Sequence, residues 1–223
     1  MTRDHATDEA LARAWQQGDR RAANRLIARY TRSIDAYLRA HSRGLPVEDL
    51  RQDVLVALGD AIHRFRFQSR FRGYLFGIVR RVMLSHLRSR RVGRGRFDAS
   101  MCSLEEVLGE PSISPDLEAQ RDLIEGLHSL SIEQRDLLVL HHALGVTEVE
   151  LAEIYERPPT TIHGQLVRAR RELAALVGSP EDTVRGLGGG SVAGTIESRL
   201  RLLGTMLVGG APVPAAPRVR VWG

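Results

Sequence analysis

Apolar residues recur at spacings of three and four positions in one segment after another of this chain, and this helical period constrains its fold most strongly. From Asp19 to His41 the spacing places apolar side chains on one face of an amphipathic helix. The same period predicts a second helix that begins near Glu48 and Asp49, and a third from Phe71 to Leu87. No segment alternates convincingly as a strand would, so the sequence predicts an all-α fold.

Two capping boxes and a proline pair predict a second group of helices. Ser131 is followed three positions later by Gln134, and Thr147 by Glu150, each pair standing before an apolar run. Another helix opens after Pro158-Pro159. A short helix, a tight turn and a longer helix with polar outward residues are typical of a helix-turn-helix.

These patterns divide the 223 residues into four parts. We expect a helical domain over 1–96, an acidic flexible linker over 97–114, a helix-turn-helix domain over 115–177 and a Gly/Ala/Pro-rich extension over 178–223. Ser114-Pro115-Asp116 predicts the start of the second domain's first helix. Within the extension, Val192 to Val208 has helical spacing, so this segment is either disordered or a conditional interaction helix.

The charge of the chain is strongly polarised. All 32 basic residues are arginine, and eleven of them lie between Arg64 and Phe97 without a single Asp or Glu. The next segment, from Asp98 to Arg157, has fourteen acids and three arginines, a net charge of −11. An uncompensated basic block favours a polyanionic partner, because neutralising phosphates releases counterions.

The sequence argues against a disulfide-bonded protein, a metalloprotein and a membrane protein. Cys102 is the only cysteine, which excludes an intrachain disulfide and a Cys-rich metal site. His141 and His142 are adjacent and point about 100° apart on a helix, so they cannot chelate one metal ion. We therefore expect no catalytic site, no metal and no cofactor. No apolar segment suits a signal peptide or a membrane span, which predicts a cytoplasmic protein.

Aromatic and basic residues alternate around the start of the third helix. Five aromatic residues stand among arginines: Phe65, Phe67, Phe71, Tyr74 and Phe76. The combination suits single-stranded DNA, because rings stack on unpaired bases and guanidinium groups bind phosphates. Phe71 and Tyr74 could equally pack their helix onto its neighbours, whereas a binding role is favoured for Phe67 in the loop.

Over residues 9 to 177 the chain resembles the extracytoplasmic-function (ECF) group of bacterial sigma factors. The segments that resemble sigma region 2 are Leu11-Ala-Arg-Ala-Trp-Gln-Gln-Gly-Asp19, Val47-Glu-Asp-Leu-Arg-Gln-Asp-Val54 and Phe71-Arg-Gly-Tyr-Leu-Phe-Gly-Ile-Val-Arg80. Those that resemble region 4 are Leu130-Ser-Ile-Glu-Gln-Arg-Asp-Leu-Leu138, Glu150-Leu-Ala-Glu-Ile154 and Thr161-Ile-His-Gly-Gln-Leu-Val-Arg-Ala-Arg170. The resemblance implies a subunit that binds RNA polymerase core and promoter DNA.

The resemblance also implies roles for individual residues. Those that match the segment docking on the polymerase β′ clamp helices are Asp49, Leu50, Gln52 and Asp53. Those that match the part melting the −10 element and capturing a flipped base are Arg66, Phe67, Gln68, Ser69, Arg72, Tyr74, Arg80 and Arg81. Those that match the helix reading the −35 element are Thr160, Thr161, His163, Gln165, Arg168 and Arg171. The β flap of the polymerase and an anti-sigma factor are further candidate partners, and the acidic linker would thread the polymerase cleft.

Two departures from the family pattern leave alternatives open. Tyr74 stands where members often have Trp, and His163-Gly-Gln165 stands where they have Lys-Ser-Arg, which removes two positive charges from the recognition helix. A sigma-like adaptor that docks on polymerase but reads DNA poorly is therefore one alternative. An ordinary dimeric helix-turn-helix regulator is the other, and no constellation of residues supports a nuclease. We also expect the extension over 178–223 to control activity by contacting the sigma domains or another protein.

Overall fold

The computed structural model describes residues 6–42, 45–93, 117–177 and 196–208. The chain divides into two compact units, Met1–Val107 and Leu108–Gly223. The described residues form helices and no strand, so the all-α prediction is confirmed. The predicted linker over 97–114, with Cys102, and the predicted helix start at Ser114-Pro115-Asp116 lie outside the described residues. No described helix is long and apolar enough to cross a membrane.

The described residues of the first unit form four α-helices: α1 (Asp8–Gln16), α2 (Arg20–His41), α3 (Val47–Ala61) and α4 (Phe71–Gly93), with a 3₁₀ turn at Ile62–Arg64. Helix α2 begins where Asp19 caps it, its Oδ1 accepting the backbone N–H of Arg21 at 2.8 Å. The core is made of the apolar stripes of α2, α3 and α4, which include Leu26, Ile34, Leu50, Val54, Leu75 and Val79. Helix α1 was not predicted as a separate element.

The described residues of the second unit form α5 (Leu117–Ser129), α6 (Ile132–Leu138), α7 (Glu148–Tyr155), α8 (Pro159–Leu176) and α9 (Ile196–Val208). Helix α6 continues into a π-helical turn, Val139–Ala143. Both predicted capping boxes are confirmed: Ser131 Oγ accepts the N–H of Gln134 at 3.3 Å, and Thr147 Oγ1 accepts that of Glu150 at 3.2 Å.

A buried arginine joins α6 to α5. Arg135 is only 1% exposed, and its guanidinium donates to the carbonyl oxygens of Leu127 and His128, each at 2.7 Å. These carbonyls lie at the C-terminal end of α5, where the helix cannot satisfy them itself. The arginine therefore fixes the angle at which α6 leaves α5, although arginine is rarely found so deeply buried.

The turn between α7 and α8 sets the position of α8. Glu156 ends α7 in the left-handed conformation, with φ of 53°, and the next N–H, of Arg157, returns to the carbonyl of Ala152 at 3.0 Å. Pro159 then occupies the first turn of α8, where its missing N–H costs nothing. The hydroxyl of Tyr155 donates to buried Asp136 at 3.0 Å and ties α7 to α6. The predicted helix-turn-helix is present.

Candidate nucleic-acid interface

The loop between the 3₁₀ turn and α4 carries an aromatic cluster. Phe65 is buried, and its ring centroid lies 4.6 Å from that of Phe67, 4.7 Å from that of Tyr74 and 5.8 Å from that of Phe71. Phe67 is half-buried and has a φ of 59°, a left-handed conformation that bulky side chains seldom adopt. Such a residue persists only where its surroundings over-determine it. The loop is therefore held in one conformation.

Helix α1 supplies two of the side chains that hold this loop. The amide nitrogen of Gln16 donates to the carbonyl oxygen of Ile62 at 2.7 Å and to that of Phe65 at 2.8 Å. The guanidinium carbon of Arg13 lies over the ring of Phe67, 4.3 Å from its centroid. One side chain thus fixes the backbone where the loop begins, and the other covers the aromatic ring at its tip.

A third residue of α1 caps the helix that follows the loop. Glu9 Oε1 accepts the backbone N–H of Phe71 at 3.3 Å, at the N-terminus of α4, where a carboxylate is favourable. We name Glu9, Arg13 and Gln16 the α1 latch. Their spacing places them on one face of α1, but spacing alone does not show which surface that face meets, so the sequence analysis missed them.

Helix α1 is itself anchored to α2. Asp8 accepts hydrogen bonds from the hydroxyl of Tyr30 and from the guanidinium of Arg29. Burial, and then the neighbouring Asp8 carboxylate, raise the pKa of Tyr30, so its hydroxyl stays protonated and donating. Helix α1, which carries the three residues of the α1 latch, is therefore held in place against α2.

The residues predicted to bind −10 DNA are split between the loop and the basic face of α4. Arg66, Gln68 and Arg81 are exposed, whereas Ser69, Arg72 and Arg80 are half-buried. Tyr74 is also half-buried, and its hydroxyl donates to the carbonyl oxygen of Ala61 at 2.6 Å, which leaves only part of its ring accessible. Phe71 is 1% exposed and packs in the core, so for that residue the packing alternative is the right one.

Helix α3 presents the residues predicted to dock on polymerase, with one difference. Asp49, Gln52 and Asp53 are exposed on one face, but Leu50 is 1% exposed and anchors α3 in the core. Val56 continues the exposed face one turn later, and its side chain is 65% exposed. The face therefore combines two carboxylates and an amide with an apolar group at its C-terminal end.

Helices α3 and α4 are joined next to this face. The Oδ2 atom of Asp53 lies 2.8 Å from the Nε2 atom of His86 on α4. On the other side of α3, Arg51 donates to Asp35 of α2 at 2.8 Å. These contacts fix the orientation of α3, and with it the direction in which its exposed face points.

Helix α8 exposes most of the residues predicted to read the −35 element. Thr160, Thr161, Arg168 and Arg171 are exposed on the side opposite the buried stripe of Ile162, Leu166, Ala169 and Leu173. Hydroxyl and guanidinium groups suit base edges and phosphates in a major groove. This face is therefore chemically competent to bind duplex DNA.

Two predicted residues of α8 are already engaged by carboxylates. His163 Nδ1 lies 3.2 Å from Glu148 Oε1 on α7, and half-buried Gln165 donates to Glu133 Oε1 on α6 at 3.1 Å. Both contacts hold α8 against its neighbours. The structure thus places His163 and Gln165 on the flanks of the exposed face of α8.

Gly164 lies at the middle of the same face. A Cβ atom there would meet nothing within 4 Å, so packing inside the unit does not require glycine. Glycine in a helix interior costs stability relative to alanine. Its bare backbone instead leaves room for another molecule to approach α8 closely.

Two family models match this chain, each in one of the units. The model of Sigma-70 region 2 matches residues 25–92, which contain α3, the aromatic loop and most of α4. The model of Sigma-70, region 4, matches residues 120–173, which contain the helix-turn-helix.

The chain is also similar in sequence to known RNA polymerase sigma factors. The chain is 30% identical over 181 residues to the RNA polymerase sigma factor CnrH of Cupriavidus metallidurans, covering 76% of this chain and 94% of the relative. It is 24% identical over 184 residues to the ECF RNA polymerase sigma-E factor of Haemophilus influenzae, covering 75% of this chain and 93% of that protein.

Solved structures have the same fold. The structure of CnrH in complex with the cytosolic domain of CnrY has a TM-score of 0.57 and 27% identity, and the match covers 78% of this chain and 98% of CnrH. The sigma factor RpoE of Bartonella quintana, in complex with the anti-sigma factor NepR, has a TM-score of 0.59 and 24% identity, with 70% of this chain and 97% of RpoE covered. The chain therefore belongs to the extracytoplasmic-function group of the sigma-70 family, whose members act in promoter-specific transcription initiation by RNA polymerase.

Proposed function

We propose that this chain directs RNA polymerase core to specific promoters and helps to open the −10 region, using three separate surfaces. The observation that carries the proposal is the aromatic loop, held in a left-handed conformation by α1 at the start of a basic helix. A loop that is already ordered in the free protein binds unpaired bases without a large entropic cost, because it loses little conformational freedom on binding.

The first surface is the exposed face of α3, which we propose docks on the β′ clamp helices. Asp49, Gln52 and Asp53 offer acceptors for basic or polar groups, and exposed Val56 offers an apolar contact. Covering an exposed apolar side chain contributes to binding roughly in proportion to the apolar area removed from water. Buried Leu50 acts indirectly, by positioning α3.

The second surface is the aromatic loop with the basic face of α4, which we propose melts and holds the −10 element. Phe67 offers a ring face for a flipped base, and Arg66, Gln68 and Ser69 stand beside it on the loop. The arginines of α4 would bind the phosphates of the displaced strand. Binding to unpaired DNA shifts the equilibrium towards the open promoter, because the duplex form cannot make these contacts.

The third surface is α8, which we propose reads the −35 element as duplex DNA. Thr160, Thr161, Arg168 and Arg171 would make the contacts, while His163 and Gln165 contribute only after leaving Glu148 and Glu133. We propose further that the second unit contacts the β flap. The protein would act inside the cell by binding alone, with the covalent chemistry left to the polymerase.

An anti-sigma factor is part of this proposal. Bartonella RpoE is solved in complex with the anti-sigma factor NepR, and the similarity of fold supports an equivalent partner for this chain. Such a partner would compete with polymerase for the surfaces described above.

In vitro transcription by purified core polymerase on genomic fragments tests the proposal. We expect specific start sites only when the protein is added, and loss of those start sites with Asp49→Ala and Asp53→Ala together. The matched control removes two exposed carboxylates of α5, Asp122→Ala and Glu125→Ala, and should leave the start sites unchanged. Absence of core binding by the wild-type protein would overturn the proposal.

A second candidate function is a sigma-like adaptor that binds polymerase but reads DNA poorly. The engagement of His163 and Gln165 by carboxylates favours it, because it leaves fewer groups of α8 available to bases. Tight binding to core polymerase without any specific start site in the same assay would identify the adaptor.

A further inference from the structure

Helix α9 lies on the second unit, packed across the π-helical turn, α8 and α5. Its buried face consists of Ile196, Leu200 and Leu203, each at most 3% exposed, while Leu202 on its outer side is 44% exposed. Both family models end before α9 begins, at residues 92 and 173. Helix α9 is thus an addition to the helix-turn-helix unit. We name the surface beneath it, formed by α5, the π-helical turn and α8, the α9 groove.

At Gly204 the main chain of α9 lies too close to the π-helical turn for a side chain to fit between them. A Cβ atom at Gly204 would lie 2.3 Å from the carbonyl oxygen of Ala143 and 2.6 Å from its Cα atom. The obstructing atoms belong to the backbone of the π-helical turn, which cannot rotate away as a long side chain would. The groove therefore fits a helix with glycine at this point, and α9 supplies that glycine.

An ion pair adds a link between α9 and the recognition helix. Glu197 accepts a hydrogen bond from Arg170 of α8, and its other oxygen lies 3.8 Å from Arg201 of α9. The side chain of Arg170 is 28% exposed in this arrangement. While α9 is docked, this arginine of α8 is paired with a carboxylate of α9.

The groove also contains a buried histidine. The Nε2 atom of His142 is buried and has no hydrogen-bond partner among the described residues. The groups that act on it are His141 of the same turn, Arg170 of α8 and Arg201 of α9, all basic. The carboxylates nearby are Glu148, which acts on His141, and Glu197, which is paired with Arg170. Because an unsatisfied buried polar group costs free energy, this arrangement is less stable than a fully hydrogen-bonded one would be.

We propose that the α9 groove is a helix-docking surface whose resident ligand is α9 itself, and that α9 leaves it reversibly, releasing Arg170 to bind DNA phosphate. The part that concerns DNA rests on the proposed role of α8. A helix from a partner protein would use the same groove only by displacing α9.

Hydrogen exchange on the full-length protein tests the docking. Gly204→Ala raises the intrinsic helix propensity of α9 but places a methyl group against the Ala143 main chain. We expect it to remove protection from the amides of α9 while α6 and α8 stay protected. The matched control, Leu202→Ala on the exposed side of α9, should keep protection. Unchanged protection in Gly204→Ala, or loss of protection throughout α5–α8, would overturn the proposal; the second result would make α9 part of the domain core.

Binding to a duplex of mixed sequence tests the consequence for DNA, since phosphate contacts do not depend on sequence. We expect Gly204→Ala and Glu197→Gln to bind more tightly than wild type and to steepen the plot of log affinity against log salt by about 0.9, the effect of one added phosphate contact. Adding Arg170→Ala to Gly204→Ala should abolish the gain. An undocked α9 with an unchanged slope would refute the withholding of Arg170. Failure of the wild-type chain to direct transcription would refute the proposed function without changing the exchange result.

Discussion

The guanidinium carbon of Arg13 lies 4.3 Å from the centroid of the Phe67 ring, over the face of that ring. A planar, delocalised cation there is attracted to the face of the ring and holds the Phe67 side chain in place. The pair connects the first helix of the chain to the tip of the aromatic loop, whose left-handed backbone it helps to hold. Arg13 is therefore part of the site, although the sequence analysis did not select it.

We expect Arg13→Ala to weaken binding of single-stranded −10 DNA by the sigma–polymerase complex, because the Phe67 ring loses the cation that holds it in place. Since both substitutions remove the same contact, Phe67→Ala should cost less in the Arg13→Ala background than in the wild type, with a coupling of about 0.5–1 kcal/mol. A double-mutant cycle using a fluorescent base analogue in the −10 strand measures this. Strictly additive losses would show that the two residues act independently.

Gly164 on α8 should tolerate a larger residue without strain. Because a Cβ atom there meets nothing within 4 Å, Gly164→Ala should stabilise the second unit by about 0.5–1 kcal/mol. Gly126 on α5 is the matched control, since a Cβ atom there would lie 2.7 Å from Val177 Cγ2 and 3.0 Å from Leu173 Cδ1, both on side chains. Thermal unfolding should therefore show a higher midpoint for Gly164→Ala than for Gly126→Ala. The reverse order would contradict the packing described here.

The buried histidines should make the second unit sensitive to acid. Burial, followed by repulsion from His141, Arg170 and Arg201, lowers the pKa of His142 from its ordinary value of 6.5 to about 2. The folded state therefore binds fewer protons than the unfolded state below pH 6.5, so the free energy of unfolding is largest above that pH and falls as the pH drops. The slope approaches about 1.4 kcal/mol per pH unit for one group.

Urea unfolding followed by pulse proteolysis, with fragments of the second unit identified by mass, measures this dependence between neutral pH and pH 5. We expect His142→Leu to flatten the curve, because it removes both the proton site and the unpartnered nitrogen. The exposed His63 of the first unit provides the control, and His63→Gln should leave the dependence unchanged. An equally steep curve in His142→Leu would assign the effect to another group, and then first to His141, whose pKa burial also lowers.

The helices in which apolar residues recur over many turns were predictable from the sequence, because the spacing of those residues shows which face is buried. Helix α2 was expected over Asp19 to His41 and extends over Arg20–His41, and α9 lies within the segment from Val192 to Val208 that was expected either to be disordered or to form a conditional helix. Both capping boxes were predictable for a related reason: their hydrogen bonds join residues three positions apart.

The remaining features depend on contacts between residues distant in sequence. The side chain of Gln16 donates a hydrogen bond to the carbonyl oxygen of Phe65, 49 positions away, and no local sequence pattern predicts such a contact. Arg135 is nearly fully buried, whereas charged residues are ordinarily assigned to the surface. Leu50 shows the converse: its sequence neighbourhood matched a docking segment, but its position on the helix turns it inwards. Motif matching selects segments, and only the fold decides which side chains of a segment are presented.

Val56 is the clearest candidate for a docking residue that motif matching did not provide. Its side chain is 65% exposed on the face of α3 that also carries Asp49 and Asp53, so truncating it should not destabilise the fold. If polymerase covers this face, Val56→Ala removes apolar area that binding would bury, and we expect a loss of about 1 kcal/mol, or roughly fivefold in affinity for core polymerase.

A valine on the other unit allows a matched comparison for this loss. Val149 on α7 is 49% exposed, and Val149→Ala removes the same two methyl groups from an exposed helical position. Affinity measurements with labelled protein and core polymerase should show weakening for Val56→Ala and none for Val149→Ala, with equal thermal stability of the two variants. Equal affinities would remove Val56 from the interface and leave Asp49, Gln52 and Asp53 as the contacts proposed for α3. Equal losses in both variants would mean that polymerase also covers α7, so that the second unit contacts core polymerase through this helix as well.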